Sequence, residues 1–250
     1  MPTYFDPRGA RERAREVIRS ARVQPLRFTA LLLAVSFVLS CIDAAGLRVL
    51  GGVTVMNYSL SFVSVLVMLI NTVLSAGYSF YCLRVARGEA LPYESLFDAF
   101  PIAGRVILLL VLQGVLIGVG LSLFVVPGVV LSLSYAMAPL YLCDNPDMSA
   151  LDAQRRSRRD MRGHRVELLL LLLSFLPLLL LDALLVSGCD RLLSPLLPDT
   201  LVGDLLFVLA ATVLTVPVEL YLRPSLGVSR ALFFRYVTAD GDDPAEPPQV

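Results

Sequence analysis

Six long apolar blocks, at 28–45, 59–83, 106–126, 128–143, 166–187 and 201–222, constrain this chain more than any other feature. A helix crossing the ~30 Å hydrocarbon core of a bilayer needs roughly 20 residues, and in such a helix every face is apolar. Block 128–143 is short for that task; the others suffice. Charged residues make up 17% of the chain and hydrophobic ones 56%, well short of the roughly 25% charged residues of a soluble domain. The expected fold class is all-α: a polytopic membrane protein with six transmembrane helices as three hairpins.

Whether 106–143 crosses once or twice is decided by charge. All 21 basic residues are arginine. They cluster at 8–27, at Arg84, Arg87 and Arg105, at 155–165, and at Arg223, Arg230 and Arg235. The connections 46–58 and 188–200 hold only Arg48 and Arg191. Basic segments flanking spans stay on the cytoplasmic side. Two crossings over 106–143 put every cluster on that side, and Pro127-Gly128 in "FVVPGVV" offers a place for the chain to reverse. The chain is therefore expected in the cell membrane, multi-pass, with both termini cytoplasmic.

Three regions follow. Residues 1–27 form a basic head in which Arg8, Arg11, Arg15, Arg19 and Arg22 recur at helical spacing, with Glu12 and Glu16 a turn away. This pattern predicts an amphipathic helix on the membrane surface. Residues 28–237 make the membrane domain. The acidic, proline-rich end at 238–250 has nothing to bury and is expected to be disordered.

Within the membrane domain, "SALDAQRRSRRDMRGHR" predicts a basic cytoplasmic surface helix at 149–162. Ser149 with Asp152 three residues on resembles a capping box, and Gly163 suits the stop. Ala150, Ala153, Ser157 and Met161 fall on one small, nearly apolar stripe expected to dock on the bundle. Arg155, Arg158, Arg159 and Arg162 point elsewhere and, with His164 and Arg165, are the candidate site for anionic lipid headgroups or a protein partner. No aromatic residues interleave these arginines, which argues against nucleic acid.

Polar groups inside spans are costly and often functional. Asp43, Asp182 and Asp204 fall near the outer ends of their blocks, and Asp182 facing Asp204 would form an acidic vestibule. Ser61, Ser64, Asn71, Ser75 and Ser79 share one side of the second block, as a packing surface or a polar conduit. Gly114 and Gly118, followed by Ser122, make a small-residue strip expected to pack against another helix. Pairings that would announce catalysis are missing: one histidine, no HExxH, no GxSxG and no phosphate-cradling loop. The four cysteines show no metal-ligand spacing. The expectation is a protein without enzymatic activity, metal or cofactor.

One block also carries a likeness. "VPGVVLSLSYAMAPLYLCDNPDMSALDAQRRSRRDMRGHR" resembles the bacterial membrane family known as domain of unknown function 975. In that pattern a Pro-Gly turn leads through S-Y-x-M-A-P to D-N-P-x-x-S-A-L, then a serine, a methionine and G-H. The matching positions are Pro127, Gly128, Ser134, Tyr135, Met137, Ala138, Pro139, Asp144, Asn145, Pro146, Ser149, Ala150, Leu151, Ser157, Met161, Gly163 and His164. More distantly the block is similar to the membrane portion of some glycerophosphodiester phosphodiesterases, whose separate catalytic domain has no counterpart here. The resemblance implies a helical membrane protein and supplies no catalytic residues.

These readings converge on a non-catalytic membrane protein that engages phospholipid or partner proteins through its basic face. The alternative is a small-solute or ion transporter, or a subunit of one. Reporters fused after Cys143 and after Arg235 are expected to read cytoplasmic alike; an external signal after Cys143 would remove the hairpin at 106–143.

Overall fold

The chain runs as α1 (Pro25–Leu50), α2 (Phe62–Ala86), α3 (Ala103–Leu123), α4 (Val125–Tyr135), α5 (Ala138–Asp144), α6 (Ala150–Asp160), α7 (Arg165–Leu193) and α8 (Leu201–Gly241). The computed structural model describes residues 9, 12, 14, 16, 18, 25–51, 53–55, 58–89, 93–193, 195–198 and 200–241. Among them are six helical segments long and apolar enough to cross a membrane: α1, α2, α3, α4 with α5, α7 and α8. The protein is an all-α polytopic membrane protein. Sequence neighbours α1 and α2, α3 and α4, and α7 and α8 pack as hairpins, and α8 also lies against α1 and α2.

Two connections differ from expectation. Between α1 and α2 a short antiparallel ribbon pairs β1 (Val53–Val55) with β2 (Tyr58–Leu60). The third helix ends at Phe124, which is extended (φ −158°, ψ 146°) and serves both as its C-cap and as the N-cap of α4. Pro127 and Gly128 therefore lie inside the first turn of α4 and do not form the reversal. A proline there costs nothing, because the first N–H groups of a helix have no intrahelical partner. Gly128 is needed for a different reason. A Cβ on it would stand 2.5 Å from the Leu121 side chain and 2.8 Å from the Leu121 backbone nitrogen. On the facing helix, a Cβ on Gly120 would lie 3.1 Å from the Gly128 Cα.

Gly114 and Gly118, expected at a helix contact, meet no described atom within 4 Å of where their Cβ would be. Their strip faces away from the other described helices. The close approach sits one turn nearer the apex, where the one-residue turn forces the two backbones together.

The core is concentrated at the arginine-bearing end. Leu83, Met137, Leu142, Ala153, Met161 and Phe234 are all at most 1% exposed and belong to one cluster. Towards the opposite end the helices show apolar side chains outward, as with Val119, Phe124, Leu184 and Val202. Lipid tails are as apolar as leucine, so nothing drives such side chains inward within the bilayer. Where helices leave it, the hydrophobic effect applies again, and the apolar residues are buried.

At 41 residues α8 is ~60 Å long, about twice the hydrocarbon thickness. It does not stop at Leu222 but carries Phe233, Phe234 and Val237 into the core and continues to Gly241. Residues 238–241 are thus helical, against the expectation of disorder, and 242–250 lie outside the described residues. Of the basic head, the arginines before Arg27 also lie outside them. Ala14 is helical and 1% exposed, and it sits in a second cluster with Phe28, Leu32 and Tyr81. At that point the head is docked on the bundle, not laid on lipid alone.

The glycine geometry yields a stability prediction. Replacing Gly120 or Gly128 with leucine should overpack the α3–α4 hairpin and cost about 1–3 kcal/mol. The same change at Gly114 or Gly118 should leave the thermal midpoint in detergent unaltered. Destabilisation by the second pair and not the first would refute the assignment.

Candidate functional site

The basic site is built on a break in a transmembrane segment. Between α4 and α5 the chain makes a turn at Ala136-Met137, with Pro139 in the first turn of α5. Proline has no N–H, so the Tyr135 carbonyl cannot receive the bond that a continuous helix would supply. Three successive carbonyls are met instead by side chains from three other helices. Ser157 Oγ of α6 donates to the Ser134 carbonyl (2.8 Å). Gln113 Nε2 of α3 donates to the Tyr135 carbonyl (2.8 Å), and Arg230 Nη2 of α8 donates to the Ala136 carbonyl (3.0 Å). An unmet buried carbonyl costs about 1–3 kcal/mol, so these contacts hold the joint in one arrangement.

From this joint the chain leaves through Asp144, paired with Arg87 (2.5 Å), and Pro146, whose carbonyl accepts from Arg105. It then enters α6. Ser149 caps the helix by accepting from the Asp152 N–H (3.1 Å). Gly163, with φ of 100°, lets the chain turn beyond its end. Ala150, Ala153, Ser157 and Met161 are all buried, and so is Gln154, whose Nε2 donates to the Leu109 carbonyl (3.3 Å). The docked stripe is therefore where the spacing put it. Two further ties were not foreseen. The Tyr141 hydroxyl donates to Asp160, and the Arg156 guanidinium lies 5.1 Å over the Tyr141 ring. The signal for them was an acid and an arginine four apart on the helix edge, which looks the same in a freely solvated helix.

The structure divides the candidate residues. Arg158, Arg159 and Arg162 are exposed, and among the described residues none has a carboxylate partner. Arg155 is exposed but lies 3.5 Å from Asp152. His164 and Arg165 are half-buried and belong to the bundle more than to its surface. His164 Nδ1 lies 3.0 Å from Glu167, and its ring meets Tyr236 edge-on at 5.6 Å. Arg165 Nε is enclosed without a hydrogen-bond partner. Leu151, from the family-like motif, is 52% exposed at the outer edge of α6. Beside the arginines, a groove of about 470 Å³ runs between α6 and Thr238 of α8, lined by Arg155, Arg156 and Arg159 together with Asp152 and Asp160.

Most other arginines at this end have structural duties. Arg84 pairs with Asp98 (2.7 Å), Arg223 with Glu219 (3.1 Å), and Arg235 donates to the Ala86 carbonyl at the end of α2 (2.6 Å). At the opposite end Asp204 pairs with Arg48 (2.5 Å) and Asp43 accepts from Ser64 (2.5 Å). Asp204 is thus neutralised by α1, and a vestibule made by Asp182 and Asp204 is not formed. All four cysteines are free thiols.

Docking of α6 can be tested by crowding its buried stripe. Ala153→Leu or Ser157→Leu should lift α6 from the bundle and speed amide exchange over 150–160 by about tenfold or more, while the spans stay protected. Unchanged exchange in both variants would mean that α6 is held by its ends alone.

No protein-family model matches the chain, and neither a curated protein nor a solved structure matches it.

Proposed function

We propose that this is a non-catalytic membrane protein whose basic face engages anionic phospholipid headgroups, in the cell membrane, with both termini cytoplasmic. The observation that carries the reading is the contrast on α6. One side is locked to the bundle by Ser157, Gln154 and a stripe of small side chains. The other holds Arg158, Arg159 and Arg162 exposed and, among the described residues, without carboxylate partners. A fixed helix presenting three such guanidiniums loses little conformational freedom on meeting a charged surface, and guanidinium suits phosphate oxygens. Each basic residue near an anionic leaflet contributes ~1 kcal/mol, so three supply about 3 kcal/mol.

A protein partner with an acidic face would use the same side chains. The likeness to the family of unknown function rests on the motif residues, many of which form the joint and the docked stripe. Membership is part of the proposal. The transporter alternative finds less support: the cavity containing Asn71 does not include Asp182.

Replacing Arg158, Arg159 and Arg162 together with glutamine should leave the helical content and thermal midpoint unchanged. The full chain is reconstituted in nanodiscs and offered vesicles rich in phosphatidylglycerol. Wild type should recruit them and the triple variant should not, and raised salt should mimic the loss, since exposed charges are screened beyond ~8 Å at physiological ionic strength. Equal recruitment by the triple variant would reduce the basic face to a topology signal.

A further inference from the structure

A second basic group lies inside the membrane domain, away from α6. A cavity of about 470 Å³ opens between α2, α3, the α4–α5 joint and α8. Its wall carries Asn71, Thr72, Ser75 and Ser79 from α2, Gln113 from α3 and Arg230 from α8. Met68 and Leu110 form an apolar margin, and Met68 is 67% exposed, so the mouth faces the lipid side of the bundle.

Arg230 is the anomaly. It is half-buried, its hydrogen bond among the described residues is the one to the Ala136 carbonyl, and the Cys82 thiol lies near enough to feel its charge. A guanidinium carries five N–H donors, so most of its capacity is unused. Among the described residues no carboxylate pairs with it, and none lines the cavity. Arg84, Arg87 and Arg223, which tie helices at this end, each have a carboxylate, whereas Arg235, like Arg230, donates to a carbonyl. A half-buried charge without a counter-ion at the edge of a span is costly, and charges placed so are candidates for function.

The same wall supplies further donors. Asn71 Oδ1 accepts from Ser36 (3.2 Å), which leaves the amide NH2 of Asn71 to donate elsewhere. Ser75 lies one turn further along α2, on the same side as Asn71, and lines the same cavity as Arg230. A guanidinium grips the two non-bridging oxygens of a phosphodiester as a bidentate fork, and amide and hydroxyl groups can donate to the same oxygens.

We propose that this cavity binds one phosphate group, with Arg230 as counter-ion and Asn71 and Ser75 as side donors, and that the phosphate belongs to a membrane lipid whose acyl chains leave past Met68 and Leu110. The site is separate from the surface of α6 and does not depend on the role given to that surface.

The test follows thermal unfolding of the full chain in detergent at about 1 M salt, where the Debye length is ~3 Å and surface arginines are screened. The probes are dioctanoyl phosphatidylglycerol, dioctanoylglycerol, which has the same chains and no phosphate, and inorganic phosphate. The phospholipid should raise the midpoint saturably and dioctanoylglycerol should not. Arg230→Gln should weaken the phospholipid response about tenfold or more, the loss expected for a charged hydrogen-bonded contact. Because Arg230 also supports the joint, Ser75→Phe is the second variant: it fills the cavity from its lipid side, keeps Arg230, and should abolish the response without changing the lipid-free midpoint. The Arg158, Arg159 and Arg162 triple variant should respond as wild type. Inorganic phosphate matching the phospholipid would support the same chemistry with a free anion as its source. An equal response to dioctanoylglycerol, an undiminished response in Ser75→Phe, or loss of the response in the triple variant would overturn the proposal.

Discussion

Three consecutive carbonyls, those of Ser134, Tyr135 and Ala136, are the point on which the arrangement of the other helices depends. Between α4 and α5 the helix is broken, Pro139 withholds the N–H that the Tyr135 carbonyl would accept, and the carbonyls left over must find donors where water is scarce. They find Ser157, Gln113 and Arg230, one each from α6, α3 and α8. Each bond fixes both the height and the rotation of the helix that supplies it, because a side chain reaches a given carbonyl from one register only. The surface helix, the third span and the last span are thus referenced to the same short turn. The break that weakens a single helix is what makes the bundle specific.

The same joint separates two packing regimes. Towards the apolar tips, helices are bordered by lipid and show Val119, Phe124 and Val202 outward at little cost. Towards the arginine-bearing end, side chains such as Phe234, Met161 and Leu142 would meet water if they were not enclosed, and they form a core like that of a soluble protein. A rigid end and a lipid-facing end in one molecule suit a protein that presents a fixed surface. The docked face of α6 is part of the rigid end, so the backbone that carries its outer arginines is held in place. Arg230 occupies the border between the regimes, close enough to the joint to donate to it and open on its other side to a cavity facing lipid.

Composition and spacing alone determined the membrane class, the six spans, the capped start of α6 at Ser149 and the identity of its buried stripe. These follow from one-dimensional rules: the length of apolar runs against bilayer thickness, and a period of 3.6 residues along a helix. What tertiary structure decided was pairing. Gly114 and Gly118 have the spacing of a contact and face none of the described helices, while Gly120 and Gly128, which share no motif, are pressed together by a turn at Phe124. Of the arginines that read alike in the sequence, Arg84 and Arg87 are neutralised, Arg235 caps a helix, Arg158 is exposed and Arg230 donates inward to the joint. Which donor meets which carbonyl, and which charge is left over, depends on the distance between residues such as Ala136 and Arg230, 94 positions apart. No local pattern encodes that distance; it exists once the helices have packed.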